Sequence, residues 1–402
     1  MPLRELNFDK HNISWSMKEV KRMFWMDVED GCRRMFKQTL EQAMVLDLYE
    51  HLQAGRNERA ERRRGYRNGY RKRRLLTGFG ELDLEVPRDR EGTYQPGYFE
   101  KYKRATGKVE EGIRAMFLRG VSTRKVGEVL DALCGFTVSA GYVSKVTKGL
   151  DKLVREYENA PIDDNFAFLF IDGLSMRVKI GLKVKRMMML VAYGIRRNGS
   201  RRLISFQLSK RESRACYLSF LENMRTRGLK GDKLEMITMD GAKGLWSAIE
   251  DVYPQVPHQL CWVHKMRNVA KHCPKRQWEE CKEGIYKIMY AKSAGKAANL
   301  FREWKKKWAD KIPKAVNCLE RDFDKLIPFL EFPEEYRVVI RTTNVIERCF
   351  REVRRRLKVM GYFQNSKSCK RIVTTIFEYF NTKWRTKTQR IEPIAEHLSE
   401  AA

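Results

Sequence analysis

The sequence predicts an α/β protein: a mixed-sheet core with an inserted helical subdomain, preceded by helical and strongly basic N-terminal regions. Three observations carry that prediction. Apolar runs of strand character concentrate between 161 and 264, and two of them close on Asp-Gly. From 265 to 337 the pattern is helical and no strand can be read. Finally, 81 Lys and Arg stand against 51 Asp and Glu, a formal charge of +30 spread over most of 402 residues.

The length suits two or three domains, and 43% hydrophobic residues can fill their cores. So large an excess of positive charge favours a polyanion as partner, nucleic acid before an anionic membrane. No apolar run approaches the roughly 18 residues of a membrane span, and the N-terminus lacks the apolar core of a signal peptide. Nine cysteines without paired spacing point to free thiols in a reducing compartment. The expectation is a soluble intracellular protein that handles DNA or RNA.

Residues 1–55 form the first region. Met23, Phe24, Met26, Met35, Phe36, Leu40, Met44, Leu46 and Leu48 make an amphipathic series from about 13 to 53. It could pack in a small bundle or dimerise with a second copy. Residues 56–108 begin with RNERAERRRGYRNGYRKRRLLTG, in which glycines interrupt any helix and arginines offer phosphate contacts. Arg62, Arg63, Arg64, Arg67 and Arg71 are the candidates. GELDLEVPRDREGTY then alternates Leu82, Leu84 and Val86 with acids, as an edge strand or hairpin does.

Residues 109–160 carry three helical patterns at short spacing. The second starts at Ser122 and stops at Gly135; the third, VSAGYVSKVTKGLDKLV, starts at Ser139. This resembles helix-turn-helix, with Lys145 and Lys148 on the exposed side of the helix that would enter the major groove.

The core is assigned to 161–264 and 338–388. FAFLFIDG reads as a buried strand ending at Asp172-Gly173, and KLEMITMDG as another ending at Asp240-Gly241. KRMMMLVAYGIRRNG and SRRLISFQLS are the second and third strands, and HQLCWVH is a short fifth. Helices follow the third and fourth. Three strands, helix, strand, helix, strand is, by analogy, the ribonuclease-H-like order. In the insertion, 265–337, Trp278, Trp304 and Trp308 read as core.

The core then resumes with RTTNVIERCFREVRRRLKVMG. Ile346, Phe350, Val353, Leu357 and Met360 give it one apolar face, while Arg351, Arg354, Arg355 and Lys358 lie opposite, in line with Glu347. Asn344 as N-cap and Glu347 three residues on have capping-box spacing. A last amphipathic helix carries Ile372, Ile376, Phe377 and Phe380, and 389–402 is a tail.

Two strand-ending aspartates and a glutamate in the first turn of a later helix form a candidate metal site. Ligands bind at the strand ends of open α/β sheets, and glycine after the acid leaves room for them. Hard oxygen ligands suit Mg²⁺, with Mn²⁺ as substitute, and two such ions can serve in-line phosphoryl transfer. Cys261 and His264 make a C-x-x-H without a second pair at firm spacing, so zinc is not expected, even with His272, Cys273 or Cys281 nearby. They are read as supporting residues, with His264 near the acids.

Several strings are more specific than this generic core: RRGYRNGYR, EVPRDREGTY, RGVSTRKVGEVL, FLFIDG, MDGAKGLWSAI, QLCWVHKMRNV and TTNVIERCFREVRRRLKVMGYF. On these the chain resembles Mutator-type transposases of bacterial insertion sequences over most of its length. The resemblance implies a three-acid site of Asp172, Asp240 and Glu347 on a ribonuclease-H-like fold, with a C-x-x-H element at Cys261 and His264. It also implies metal-dependent cutting and joining of double-stranded DNA at the element's own terminal inverted repeats, and insertion into target DNA. The expected form is a homodimer or larger assembly on DNA, in the cytoplasm and on the nucleoid of a prokaryote. A regulatory or domesticated DNA-binding protein with an inactive fold is the competing reading. A structure-specific nuclease is a third.

Overall fold

The computed structural model describes residues 17–98, 100 and 103–385. The expected helical start at 13–16 and the tail at 389–402 lie outside the described residues. The chain divides into two compact units, Met1–Lys148 and Gly149–Ala402.

The first unit opens with one long helix, α1 (Met17–Leu52), followed by the antiparallel strands β1 (Arg67–Thr77) and β2 (Gly80–Asp89). The sequence suggested a small bundle or self-association for the first region. Within the chain this region is one helix rather than a bundle, and its later part is covered: Phe36, Leu40 and Met44 pack on Leu75, Leu82, Leu84 and Val86 of the hairpin. The period-2 alternation of β2 sends those side chains to one face. Phe24, Trp25 and Met26, earlier in α1, are exposed. The basic stretch, expected to be non-helical, becomes a strand from Arg67 because its partner strand supplies the ladder bonds. Thr77 closes the hairpin by donating from Oγ1 to the Gly80 carbonyl at 2.8 Å.

Leu76, one residue on from Leu75, points the other way. It joins Ala105, Val109, Ile113, Val126, Leu130, Phe136, Val143 and Val146 in the core of α2 (Gly107–Leu118), α3 (Lys125–Cys134) and α4 (Ala140–Lys148). At Gly127 a Cβ would stand 2.7 Å from the Val138 carbonyl oxygen, so only glycine lets α3 approach the segment leading into α4. The third helix, expected to run on to Val154, breaks at Gly149. Its continuation, α5 (Leu150–Asn159), belongs to the second unit. There Tyr157 donates to the Leu203 carbonyl at 2.8 Å, and Asp151 accepts two hydrogen bonds from Arg371.

In the second unit β3 (Phe168–Ile180), β4 (Lys183–Ile195) and β5 (Arg201–Ser209) form an antiparallel meander. After α6 (Arg214–Thr226) comes β6 (Met236–Met239), parallel to β3, and after α7 (Lys243–Val252) comes β7 (His258–Leu260), parallel to β6. The sheet order is β5-β4-β3-β6-β7. Two strand ends differ from expectation. β3 does not stop at Asp172: the alternation of buried Leu174, Met176 and Val178 carries it eight residues further along β4. β7 is only three residues long, because Cys261 caps the next helix and the W-V-H of the expected strand is helical.

The helical stretch comprises α8 (Trp262–Ala270), α9 (Lys275–Met289), α10 (Ala294–Trp308), α11 (Pro313–Glu320) and α12 (Glu334–Ile340). Trp304 and Trp308 are buried, and the Trp304 indole donates to the Cys281 carbonyl at 3.1 Å. Gly284 is obligatory beside it, since a Cβ there would lie 2.4 Å from Trp304 Cδ1.

Two further helices, α13 (Asn344–Met360) and α14 (Ser366–Arg385), complete the unit, and α14 packs against α5, β5 and β3. Among the described residues no helix is long and apolar enough to cross a membrane.

Candidate active site

The parallel pairing of β3 with β6 ends at Ile171 and Met239. Asp172 and Asp240 are the next residues on each strand, so adjacent strands deliver two carboxylates to the same edge of the sheet. Asp172 is 3% exposed; its Oδ1 accepts from the Gly173 amide at 2.7 Å and its Oδ2 from the Thr343 hydroxyl at 2.9 Å. Asp240 accepts from the Ala242 amide at 3.2 Å. Among the described residues neither aspartate has a Lys or Arg partner. Burial and then the charge of Asp240 push the Asp172 carboxyl up to about 7, and burial raises Asp240 as well. A buried carboxylate beside a half-buried one, both without a basic partner other than His264 among the described residues, fits a divalent cation held by oxygen donors.

The route to the third acid runs through buried polar side chains. Gln259 on β7 donates from Nε2 to the Ile340 carbonyl at 2.8 Å, and its Oε1 accepts from the Phe329 amide at 3.0 Å. Thr238 on β6 donates to the same Ile340 carbonyl at 2.6 Å. The end of α12 is thereby fixed to the sheet, and Thr343 arrives beside Asp172 and Cys261. The Thr343 amide donates to Cys261 Sγ at 3.3 Å.

The expected capping box does not form. Thr343 is the N-cap of α13 and makes no side-chain cap bond, because its hydroxyl is spent on Asp172. Glu347 is thus one position beyond the capping site. Its carboxylate accepts from Arg267 of α8 at 3.1 Å on one oxygen and from Arg354 at 2.9 Å on the other. Burial opposes its ionisation, yet Arg354 and Arg267 hold it below the usual carboxylate range. Glu347 is near enough for its charge to raise Asp172 further. Among the described residues, however, no three His, Cys, Asp or Glu side chains come together closely enough to hold a metal ion. The structure therefore unites the two aspartates and leaves the glutamate turned towards arginines.

His264 Nε2 lies 3.9 Å from Asp172 Oδ1. Burial works against its imidazolium, but Cys261 and Asp240 raise its pKa, while burial of the Cys261 thiol is outweighed by His264 and Thr343, which lower it.

The sequence reading did not single out Thr343, Arg267 or Glu212. Glu212, just ahead of α6, has Oε1 3.8 Å from where a Cβ on Gly173 would stand. Burial and then Asp240 raise its pKa. Polar residues next to the acids in sequence carry no mark of this. Only the fold brings Arg267 to Glu347, 80 residues away.

The expected DNA contacts separate into two groups. Arg63 donates to the Gly65 and Glu58 carbonyls of its own loop, and Arg67 stacks on Tyr49 of α1 at 3.9 Å, so both are engaged in internal contacts of the first unit. Arg62, Arg64, Arg71, Lys145 and Lys148 are exposed, as are Arg351, Arg354, Arg355 and Lys358 on α13. Within the first unit, Arg71, Lys72 and Arg104 share an open cleft of about 940 Å³ with Tyr142 and Lys145 of α4.

Comparison with known proteins gives a consistent picture. The profile of the family described as "Transposase, Mutator family" matches residues 9–387. A transposase for the insertion sequence element ISRM5 of Rhizobium meliloti is 30% identical over 370 residues, covering 92% of each chain. One for IS256 in transposon Tn4001 of Staphylococcus aureus is 32% identical over 373 residues, 91% of this chain and 94% of the relative. A solved structure, the Mos1 strand transfer complex, covers 42% of this chain and 60% of its own at 14% identity. Its TM-score of 0.17 is too low to bear on the fold.

Proposed function

The chain belongs to the Mutator family of transposases, and on that premise we propose that it cuts and joins DNA at a site built from Asp172, Asp240 and Glu347. The observation that carries the reading is the pair of aspartates at the end of the β3–β6 ladder, one buried and one half-buried, with no Lys or Arg partner among the described residues. We read the core around them as ribonuclease-H-like, supported by three antiparallel strands continued by two parallel ones, with the helical stretch inserted before Glu347.

Asp172 and Asp240 would hold divalent metal, Mg²⁺ or Mn²⁺, with Glu347 completing the set. A metal held by these residues would supply Lewis acidity for activating an attacking hydroxyl and for stabilising the leaving oxygen of a phosphodiester. The protein's own part is preorganisation. The Gly173 amide and Thr343 hydroxyl fix both oxygens of Asp172, the Ala242 amide orients Asp240, and Gln259 and Thr238 set the position of α13. The exposed arginines of α13 meet the backbone.

End recognition falls to the first unit. The cleft between β1 and α4 accepts a DNA backbone, Arg71, Lys72, Arg104 and Lys145 being exposed there. The substrate is the pair of terminal inverted repeats of the element and its target DNA. The acting form is a dimer or larger assembly on the nucleoid.

The test is strand transfer by purified protein on its own element ends in Mg²⁺. Asp172→Asn and Asp240→Asn should abolish joining while end binding stays near normal. Retained joining in either variant overturns the assignment.

A further inference from the structure

Glu347 is held from two sides. Arg267 comes from α8 and Arg354 from α13 itself, and each guanidinium takes a different oxygen of the one carboxylate. The side chains of Arg267 and Arg354 are 55% and 51% exposed, whereas that of Glu347 is 19% exposed. Two outward cations thus converge on one anion that lies beneath them. Two guanidiniums spaced to take two oxygens of one carboxylate also suit the two non-bridging oxygens of a phosphodiester. The three groups together keep a net positive charge.

We propose that Arg267 and Arg354 form the seat of a backbone phosphate of the DNA substrate, and that Glu347 fills this seat until DNA takes it. The inference rests on the transposase reading above and deepens it. Half-exposed arginines hold a carboxylate weakly, because solvent and salt screen the pair. A DNA phosphate arrives with the added drive of counterion release. Once the arginines turn to the phosphate, Glu347 loses both partners, and it already lies within electrostatic reach of Asp172. The same exchange seats the backbone and frees the third acid, so the site completes itself only where substrate lies.

The test needs no metal and no catalysis. Binding of the full chain to a short fluorescent duplex is measured in EDTA across a salt series. Glu347→Ala should bind several-fold tighter than wild type, with Glu347→Gln in between. Arg267→Gln and Arg354→Gln should each weaken binding and flatten the salt dependence. In the Arg267→Gln/Arg354→Gln background, adding Glu347→Ala should change nothing. Glu352→Ala serves as control for charge alone, since Glu352 lies on the same helix and pairs with Arg355 and Arg356. A gain from Glu347→Ala no larger than this control, or one that persists without the two arginines, overturns the proposal. Weaker binding by Glu347→Ala does the same, and marks the triad as a static brace between α8 and α13. Failure of the active-site assignment would appear elsewhere, as strand transfer retained by Asp172→Asn.

Discussion

Asp172 is a carboxylate whose surroundings favour the proton, and this has a measurable sign. Its folded pKa of about 7 lies above the unfolded value of about 3.9. The folded state therefore binds more protons between those limits, and the contribution of this group to stability, full at low pH, is lost as pH rises towards 7. Asp172→Asn should remove that slope. In metal-free protein at pH 8 we expect its melting temperature to exceed wild type by at least ~2–4 °C, which is the effect of only about 1 kcal/mol in a domain of this size. Below about pH 4, where both states are protonated, the two should converge, and thermal scans in EDTA at pH 8 and at pH 4 or below check this. Glu347→Gln is the complementary case. The neutral amide keeps the fold and binds DNA at least as tightly as wild type, and strand transfer in Mg²⁺ should fall below detection; near-normal joining would remove Glu347 from the site. The aspartates were legible in the sequence because each follows an apolar run and precedes glycine. The arginine hold on Glu347 was not, since capping-box spacing offered a local partner and the real partner, Arg267, is supplied by tertiary structure.

Elements place these side chains, and buried polar contacts fix the elements. Gln259 satisfies groups on two returning segments at once, the Ile340 carbonyl and the Phe329 amide. Gln259→Leu leaves the Phe329 amide unpaired and should cost about 1–3 kcal/mol. Strand transfer should drop more than the folded fraction does, because the bond also positions α13; urea titration beside a joining assay separates the two effects. Gly284→Ala tests packing alone. A Cβ 2.4 Å from Trp304 has to displace the indole, at about 1–3 kcal/mol, with activity per folded molecule unchanged. Strand and helix order followed from periodicity, but element ends did not. The extension of β3 beyond Asp172 was written in the alternation of Leu174, Met176 and Val178, which the Asp-Gly pair obscured. The break at Gly149 is set by α5 packing on α14, a long-range contact no local pattern reports.

On the proposed reading, the whole molecule separates recognition from chemistry along the chain. The first unit ends at Lys148, so a fragment of residues 1–148 should fold alone and prefer element ends over random duplex. Its affinity should fall steeply with salt, and losing Arg71 or Lys145 should each reduce the log–log salt slope by about 1. A fragment that binds every duplex equally would place end recognition elsewhere. Charge and composition foretold a polyanion partner, but not that β1 and α4 would line one cleft, because that depends on Leu76 turning the hairpin towards the three helices.

The attachment of α13 also limits how the catalytic unit can respond to DNA. Its leading end is tied to the sheet through Thr343 on Asp172. Just past its trailing end, Phe363 exchanges backbone hydrogen bonds with Arg177 and Lys179 of the same strand, β3. A rod fastened to one strand at both ends cannot swing. Any approach of Glu347 to the aspartates is then a change of side-chain torsions, a motion of picoseconds to nanoseconds once its partners let go, with no hinge to wait for.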